Sequence, residues 1–213
     1  MAKKLSPSSL GAIIFGAIAV AALIAVISNG AQDSSTNLSL GGAQEIQPVS
    51  VVGADLPAFP DSGNDPALGL KAPTLNGLTA GGMPMTIAPS TDNKPMMLVF
   101  LAHWCPHCNR EIPVLNEWKA QGLVPEDLTV IGITTATQQG QPNYPPSQWL
   151  IEKQWPWAAM PDSQAQDAAR AFGVTGYPTF VLVGSDGLVK YRGSGEKTLD
   201  QVNNSVRQAL SLA

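Results

Sequence analysis

Leu98-Val-Phe-Leu-Ala-His-Trp-Cys-Pro-His-Cys-Asn-Arg-Glu-Ile-Pro113 decides how the rest of the chain is read. Met96 to Ala102 is apolar throughout, the pattern of a strand covered on both faces. It runs into Trp104 and then into Cys105 and Cys108, the two cysteines of the 213-residue chain. A helix is expected from Pro106 to Ala120, with Cys105 at its N-cap and Pro106 at the first helical position, where a missing N–H loses nothing. Cys105 then faces the free N–H of Cys108 and the positive end of the helix dipole, and both favour thiolate over thiol. Thiols in such settings titrate at roughly 3.5 to 7, and the thiolate is the attacking species. His107 places an imidazole beside it. Cys105 is the candidate nucleophile and Cys108 the resolving thiol.

Other uses of the pair are weaker. Zinc needs four ligands, and although His103, Cys105, His107 and Cys108 offer them, all lie within six residues at a strand-to-helix corner. No metal site is assigned, and a metal-binding chaperone remains the alternative from another class. Covalent haem attachment requires His after the second Cys, where Asn109 stands. A purely structural disulfide across three positions would constrain the unfolded chain little. His103 reads as a rim residue.

These residues resemble the thioredoxin superfamily over roughly the last two-thirds of the chain. Trp104-Cys-Pro-His-Cys108 is similar to the DsbA-type motif of disulfide oxidants. Ala72-Pro73, Lys94-Pro95 and Glu111-Ile-Pro-Val-Leu115 are similar to the frame of membrane-anchored TlpA/ResA-type proteins. The resemblance implies a central mixed sheet flanked by helices, and it implies that Glu111 tunes the redox site. Thr175-Gly-Tyr-Pro-Thr179 resembles the family loop whose proline is cis and faces the cysteines. Trp104, Pro106, Thr175, Tyr177 and Pro178 are accordingly the expected substrate-binding residues, beside a catalytic set of Cys105, Cys108, His107 and Glu111. Pro106-His107 favours an oxidase and the TlpA/ResA-like frame a reductase, for instance one serving cytochrome c maturation; the oxidase is the expectation. No cofactor is required.

The chain opens with Lys3 and Lys4, followed by Leu10 to Ile27, a run without charge and of bilayer-spanning length. Residues 1–9 are expected in the cytoplasm, 10–27 as a transmembrane anchor, and the remainder outside the cell membrane of a bacterium. A cleaved signal peptide is the competing reading. Net charge is −4, and because both lysines precede the run, the remainder carries −6. That balance offers nucleic acid no basic surface. Expected partners are cysteine-containing exported proteins and a membrane or extracytoplasmic redox protein that resets the pair.

Residues 28–70, rich in Ser, Gly, Asn, Asp and Pro, read as a flexible linker, with Val49 to Val52 able to fold onto the domain. Residues 71–213 form the domain, in the order β-α-β-α-β-α-β-β-α after a small hairpin turning at Asn76-Gly77. Ser163 is the expected N-cap of a helix reaching Phe172. Trp149, Trp155 and Trp157 read as core, and residues 138–146 as a loop, either a contact lid or a plain connection.

Overall fold

The computed structural model describes residues 43–89 and 94–211. The anchor expected over 10–27 and the cytoplasmic 1–9 lie outside the described residues. Among the described residues, no helix is long and apolar enough to cross a membrane.

Five strands form the central sheet in the order β6-β5-β4-β7-β8: β4 (Met96–Leu101), β5 (Thr129–Thr134), β6 (Ala158–Pro161), β7 (Thr179–Val183) and β8 (Val189–Ser194). The pairs β4/β5 and β5/β6 are parallel, while β4/β7 and β7/β8 are antiparallel. Every residue of the central β4 is buried, and its side chains divide between two cores. Met96, Leu98 and Phe100 enter one with Leu75, Ile133, Met160, Phe172 and Val181. Met97, Val99 and Leu101 enter the other with Ile112, Leu115, Trp118, Phe180 and Val206. Alternation along a strand with both faces covered is why this stretch has no polar position. Each such side chain contributes about 1.5–3 kcal/mol of burial free energy.

Among the described residues, four helices connect and cover the sheet: α1 (Pro106–Ala120), α2 (Pro146–Glu152), α3 (Asp167–Ala171) and α4 (Leu199–Ala209). Helix α1 buries Cys108, Glu111, Ile112, Leu115 and Trp118, one stripe at helical spacing, and continues through Pro113. Helix α4 begins with a capping box between Thr198 and Gln201.

Three expectations are corrected. The linker over 28–70 does not describe residues 43–70, which pack onto the domain. β1 (Ser50–Val52) pairs antiparallel with β2 (Thr74–Leu78), which pairs with β3 (Pro84–Ile87). Val49, Leu56 and Ala67 are buried, and the Leu56 and Phe59 N–H groups donate to Ala171 and Gly173 carbonyls. Asp65 accepts a two-pronged ion pair from the buried Arg192, whose Nη1 also donates to the Pro57 and Phe172 carbonyls. The segment lacks a period because polar groups anchor it point by point.

The hairpin turns at residues 79–82 instead of Asn76-Gly77. Gly82 has φ +80° there, and the Thr79 N–H donates to Met83 O at 2.8 Å. Asn76 and Gly77 sit inside β2, opposite Thr86 and Met85. A Cβ at Gly77 would lie 3.1 Å from Gln47 Nε2 and 3.2 Å from Met160 Sδ, so close approach explains the glycine.

Ser163 is not the N-cap residue of α3, a position held by Gln166 at φ 58°. Its hydroxyl still accepts the Asp167 N–H, while the carboxylate of buried Asp162 accepts from Ala168 and Ala169.

Candidate active site

The site forms where β4 ends and α1 begins. The Cys105 N–H donates to Ala102 O at 3.0 Å, turning the chain so that Cys105 becomes the N-cap and Pro106 opens the helix. Both cysteines are free thiols, with Cys105 6% exposed and Cys108 fully buried. The Cys105 sulfur makes no capping bond to the helix, contrary to expectation. Its thiol instead donates to Tyr177 O at 3.5 Å, the carbonyl just before Pro178. The Tyr177–Pro178 bond is cis. Two segments 72 residues apart in sequence thus meet at one sulfur.

The flanking residues divide. Trp104 anchors its Nε1 to Ala136 O at 2.8 Å and meets the Tyr177 ring edge-on at 6.1 Å. Tyr177 donates its hydroxyl to Gln166. Pro106 is exposed beside the cysteines, whereas the Thr175 hydroxyl donates to Phe59 O and so fastens the N-terminal segment. His107 is exposed, and its Nδ1 lies 2.9 Å from Arg110 Nη2 and 3.4 Å from Glu196 Oε1.

Buried groups carry the main electrostatics. Burial pushes the Cys108 thiol far up, and the neighbouring charges of Cys105 and Glu111 push the same way. Glu111 follows Cys108 by three positions on the same helix face and is completely buried. Burial raises its carboxyl to about 7, opposed by the Lys197 N–H, which donates to Oε2 at 2.7 Å, and by the Lys197 charge. Oε1 is buried with no hydrogen-bond partner.

A carboxyl raised on folding binds its proton more tightly in the folded state. Stability therefore falls as pH rises from the ordinary carboxyl range through about 7. Glu111→Gln is expected to stabilise the protein by on the order of 2 kcal/mol at pH 8 and not at pH 4. Urea unfolding at the two pH values checks this.

His103 is not a rim residue. It is 1% exposed; Nδ1 donates to Pro142 O at 2.7 Å and Nε2 accepts the Gln138 N–H at 3.2 Å. Its carbonyl accepts from Asn109 and Asn143 side chains, and Asn109 Oδ1 accepts Trp149 Nε1. The 138–146 loop is thereby fixed to the motif itself. Trp149 is core as expected; Trp155 and Trp157 are half-buried against it.

A sequence profile described as the AhpC/TSA family matches residues 68–192, spanning β2, the cysteine pair, the cis-proline loop and most of β8. The chain belongs to the AhpC/TSA family. The chain is 28% identical over 185 residues to the thiol:disulfide interchange protein DsbE of Escherichia coli K12, covering 86% of this chain and 82% of that one. Probable nucleoredoxin 3 of rice is 30% identical over 116 residues, 53% of this chain and 23% of that one.

Among solved structures, a DsbE-type protein from Chlorobium tepidum superposes with a TM-score of 0.55 at 20% identity, over 67% of this chain and 96% of that one. StoA from Bacillus subtilis gives 0.52 at 15% identity, over 66% and 99%. Those two likenesses establish the thioredoxin-like fold. This AhpC/TSA member is a thiol–disulfide oxidoreductase related to the DsbE, ResA and TlpA proteins.

Sequence reasoning missed Asn109, Arg110, Glu196 and Lys197. The one available signal was local: Asn109 and Arg110 follow the motif directly, whereas Glu196 and Lys197 lie in a turn 86 residues from their partners.

Proposed function

We propose that the protein works as an extracytoplasmic disulfide reductase, tethered by residues 10–27 with its domain outside a bacterial cell membrane. Its substrates are disulfides of exported proteins. What supports the direction is the similarity to DsbE-type thiol:disulfide interchange proteins, and what supports the chemistry is Cys108, completely buried beside Glu111. In the reducing direction, the Cys105 thiolate attacks a substrate sulfur, the substrate disulfide breaks, and one substrate thiolate leaves and is protonated. Cys108 then passes its proton to Glu111 and attacks the Cys105 sulfur, expelling the second substrate thiolate. The substrate gains two electrons and the Cys105–Cys108 pair loses them. Reset by a reducing partner reverses the second step: the partner thiolate attacks the Cys105 sulfur, Cys108 leaves, and Glu111 returns its proton.

Pro106-His107 supported the oxidase expectation, and the His107 Nδ1 is engaged by Arg110 and Glu196 instead. The cis Pro178 loop offers its backbone to an extended substrate segment, with Trp104 and Tyr177 as the adjoining apolar wall. A thioredoxin-like redox partner outside the cytoplasm or in the membrane must return electrons to the pair.

Equilibration of the protein with glutathione buffers tests the direction. The expected potential lies near the thioredoxin value of about −270 mV, and one near the DsbA value of about −120 mV would return the assignment to oxidase.

A further inference from the structure

The turn between β8 and α4, residues 195–198, touches each functional part of the site. The Gly195 N–H donates to Pro178 O at 2.8 Å, joining the turn to the cis-proline loop. The Lys197 N–H donates to Glu111 Oε2 at 2.7 Å, while its ammonium lies over the Phe180 and Tyr191 rings at 5.6 and 5.9 Å. Between them Glu196 reaches outward to α1. Arg110 Nε donates to its Oε2 at 2.7 Å and Arg110 Nη2 to its Oε1 at 3.2 Å. His107 Nδ1 completes the cluster.

We propose that the Arg110–Glu196 fork is the latch that holds the 195–198 turn over Glu111, making Arg110 and Glu196 positioning residues for proton transfer at Cys108. The inference rests on the reading of Glu111 as the group that takes the Cys108 proton. Arg110 is one residue before Glu111, so the helix that carries the buried acid also carries the outer half of its cover. With the fork closed, the Lys197 N–H sits on Oε2 and water stays away from the unpartnered Oε1. With it released, the turn is free to lift, and Glu111 meets solvent. Both partners of the fork are about half exposed, at 56% and 41%, so the contact is screened and readily broken.

Ionisable groups acting on Glu111 are Lys197 and Glu196 from the turn and Cys108 from its own helix. This makes the sign of a charge change informative. Removing the Arg110 cation without moving the turn takes positive charge from the neighbourhood and raises the carboxyl. Releasing the turn rehydrates Glu111 and lowers it.

The test uses the reduced full-length chain with glutathione disulfide as probe. Release of the second glutathione reports attack by Cys108 on the mixed disulfide, and its rate is followed against pH. Wild type is expected to show an inflection near 7. Glu111→Gln is expected to abolish it. Arg110→Gln is expected to move it below about pH 6, toward an ordinary carboxyl, and Arg110→Lys to move it back toward the wild-type position. An inflection that stays in place or rises in Arg110→Gln, with Glu111→Gln still abolishing it, overturns the latch and leaves the Glu111 reading standing. Survival of the inflection in Glu111→Gln overturns that reading and the latch with it.

Discussion

Cys108→Ser is expected to turn the protein into a trap. The Cys105 thiolate still attacks a disulfide, but the mixed disulfide has no internal thiol to resolve it. Turnover should fall by about three orders of magnitude, a modest share of the effective molarities of roughly 10⁵ M or more that well-placed intramolecular groups reach. Non-reducing gels should show the adduct persisting and collapsing on addition of a small thiol. Cys105→Ser should give no adduct at all. Cys108 cannot take over the attack, because it is fully buried and burial pushes its thiol far up. The two variants fail at different steps, which separates a nucleophile from a resolving thiol in a way that loss of activity alone does not. Adduct formation by Cys105→Ser would reverse the roles.

The second large effect lies away from the chemistry. Asp65→Ala strands the Arg192 guanidinium, whose side chain has no exposure, and breaking a buried ion pair costs about 3–5 kcal/mol. Arg192 also holds the Pro57 and Phe172 carbonyls, so the loss should loosen the whole 55–67 segment from α3 and β8. Denaturant unfolding of the variant measures it, and replacing Arg192 by Met in the same chain should recover part of the loss. Burial alone would raise the Asp65 carboxyl; hydrogen bonds from Arg192 and Ala67 and the Arg192 charge outweigh it and hold the group below its usual value. The folded state therefore binds that proton less tightly than the unfolded state. Stabilisation from the pair is complete above the ordinary aspartate range near 3.9 and is lost as pH falls through the lower folded value. Wild type should lose this increment in acid, and Asp65→Ala should show a flatter acid limb.

Asp65 and Arg192 also mark where the sequence stops being informative. Strand β4 and helix α1 were legible because their signals are local: an unbroken apolar run, proline at the first helical position, and a stripe from Cys108 to Trp118. The order of elements from β4 to α4 followed from the same kind of pattern. Residues 43–70 carry no such period, since their order comes from single long-range contacts such as Gln47 to Leu78 and Pro161, and Asp65 to Arg192. Asn76-Gly77 satisfied a turn rule for a steric reason of a different kind, the nearness of Gln47 and Met160 to Gly77.

Within the site, the cysteine pair was legible from its own spacing, while Glu111, Tyr177 and Pro178 came from the family resemblance; the Tyr177 carbonyl meets Cys105, and Glu111 lies on the Cys108 face of α1. Thr175 sits in the right loop, yet its hydroxyl is spent on Phe59. His107 has the right neighbour in sequence, and its ring nitrogen goes to Arg110 and Glu196, a partner no spacing rule indicates. His103 was misplaced on the rim because nothing local shows that Gln138 and Pro142 will close over it.

Alkylation of the reduced full-length chain with iodoacetamide at neutral pH, followed by peptide mapping, probes the asymmetry of the two thiols most directly. The expected result is rapid modification of Cys105, with Cys108 spared until the protein is unfolded. Modification of Cys108 as fast as Cys105, or of neither thiol before unfolding, would contradict it.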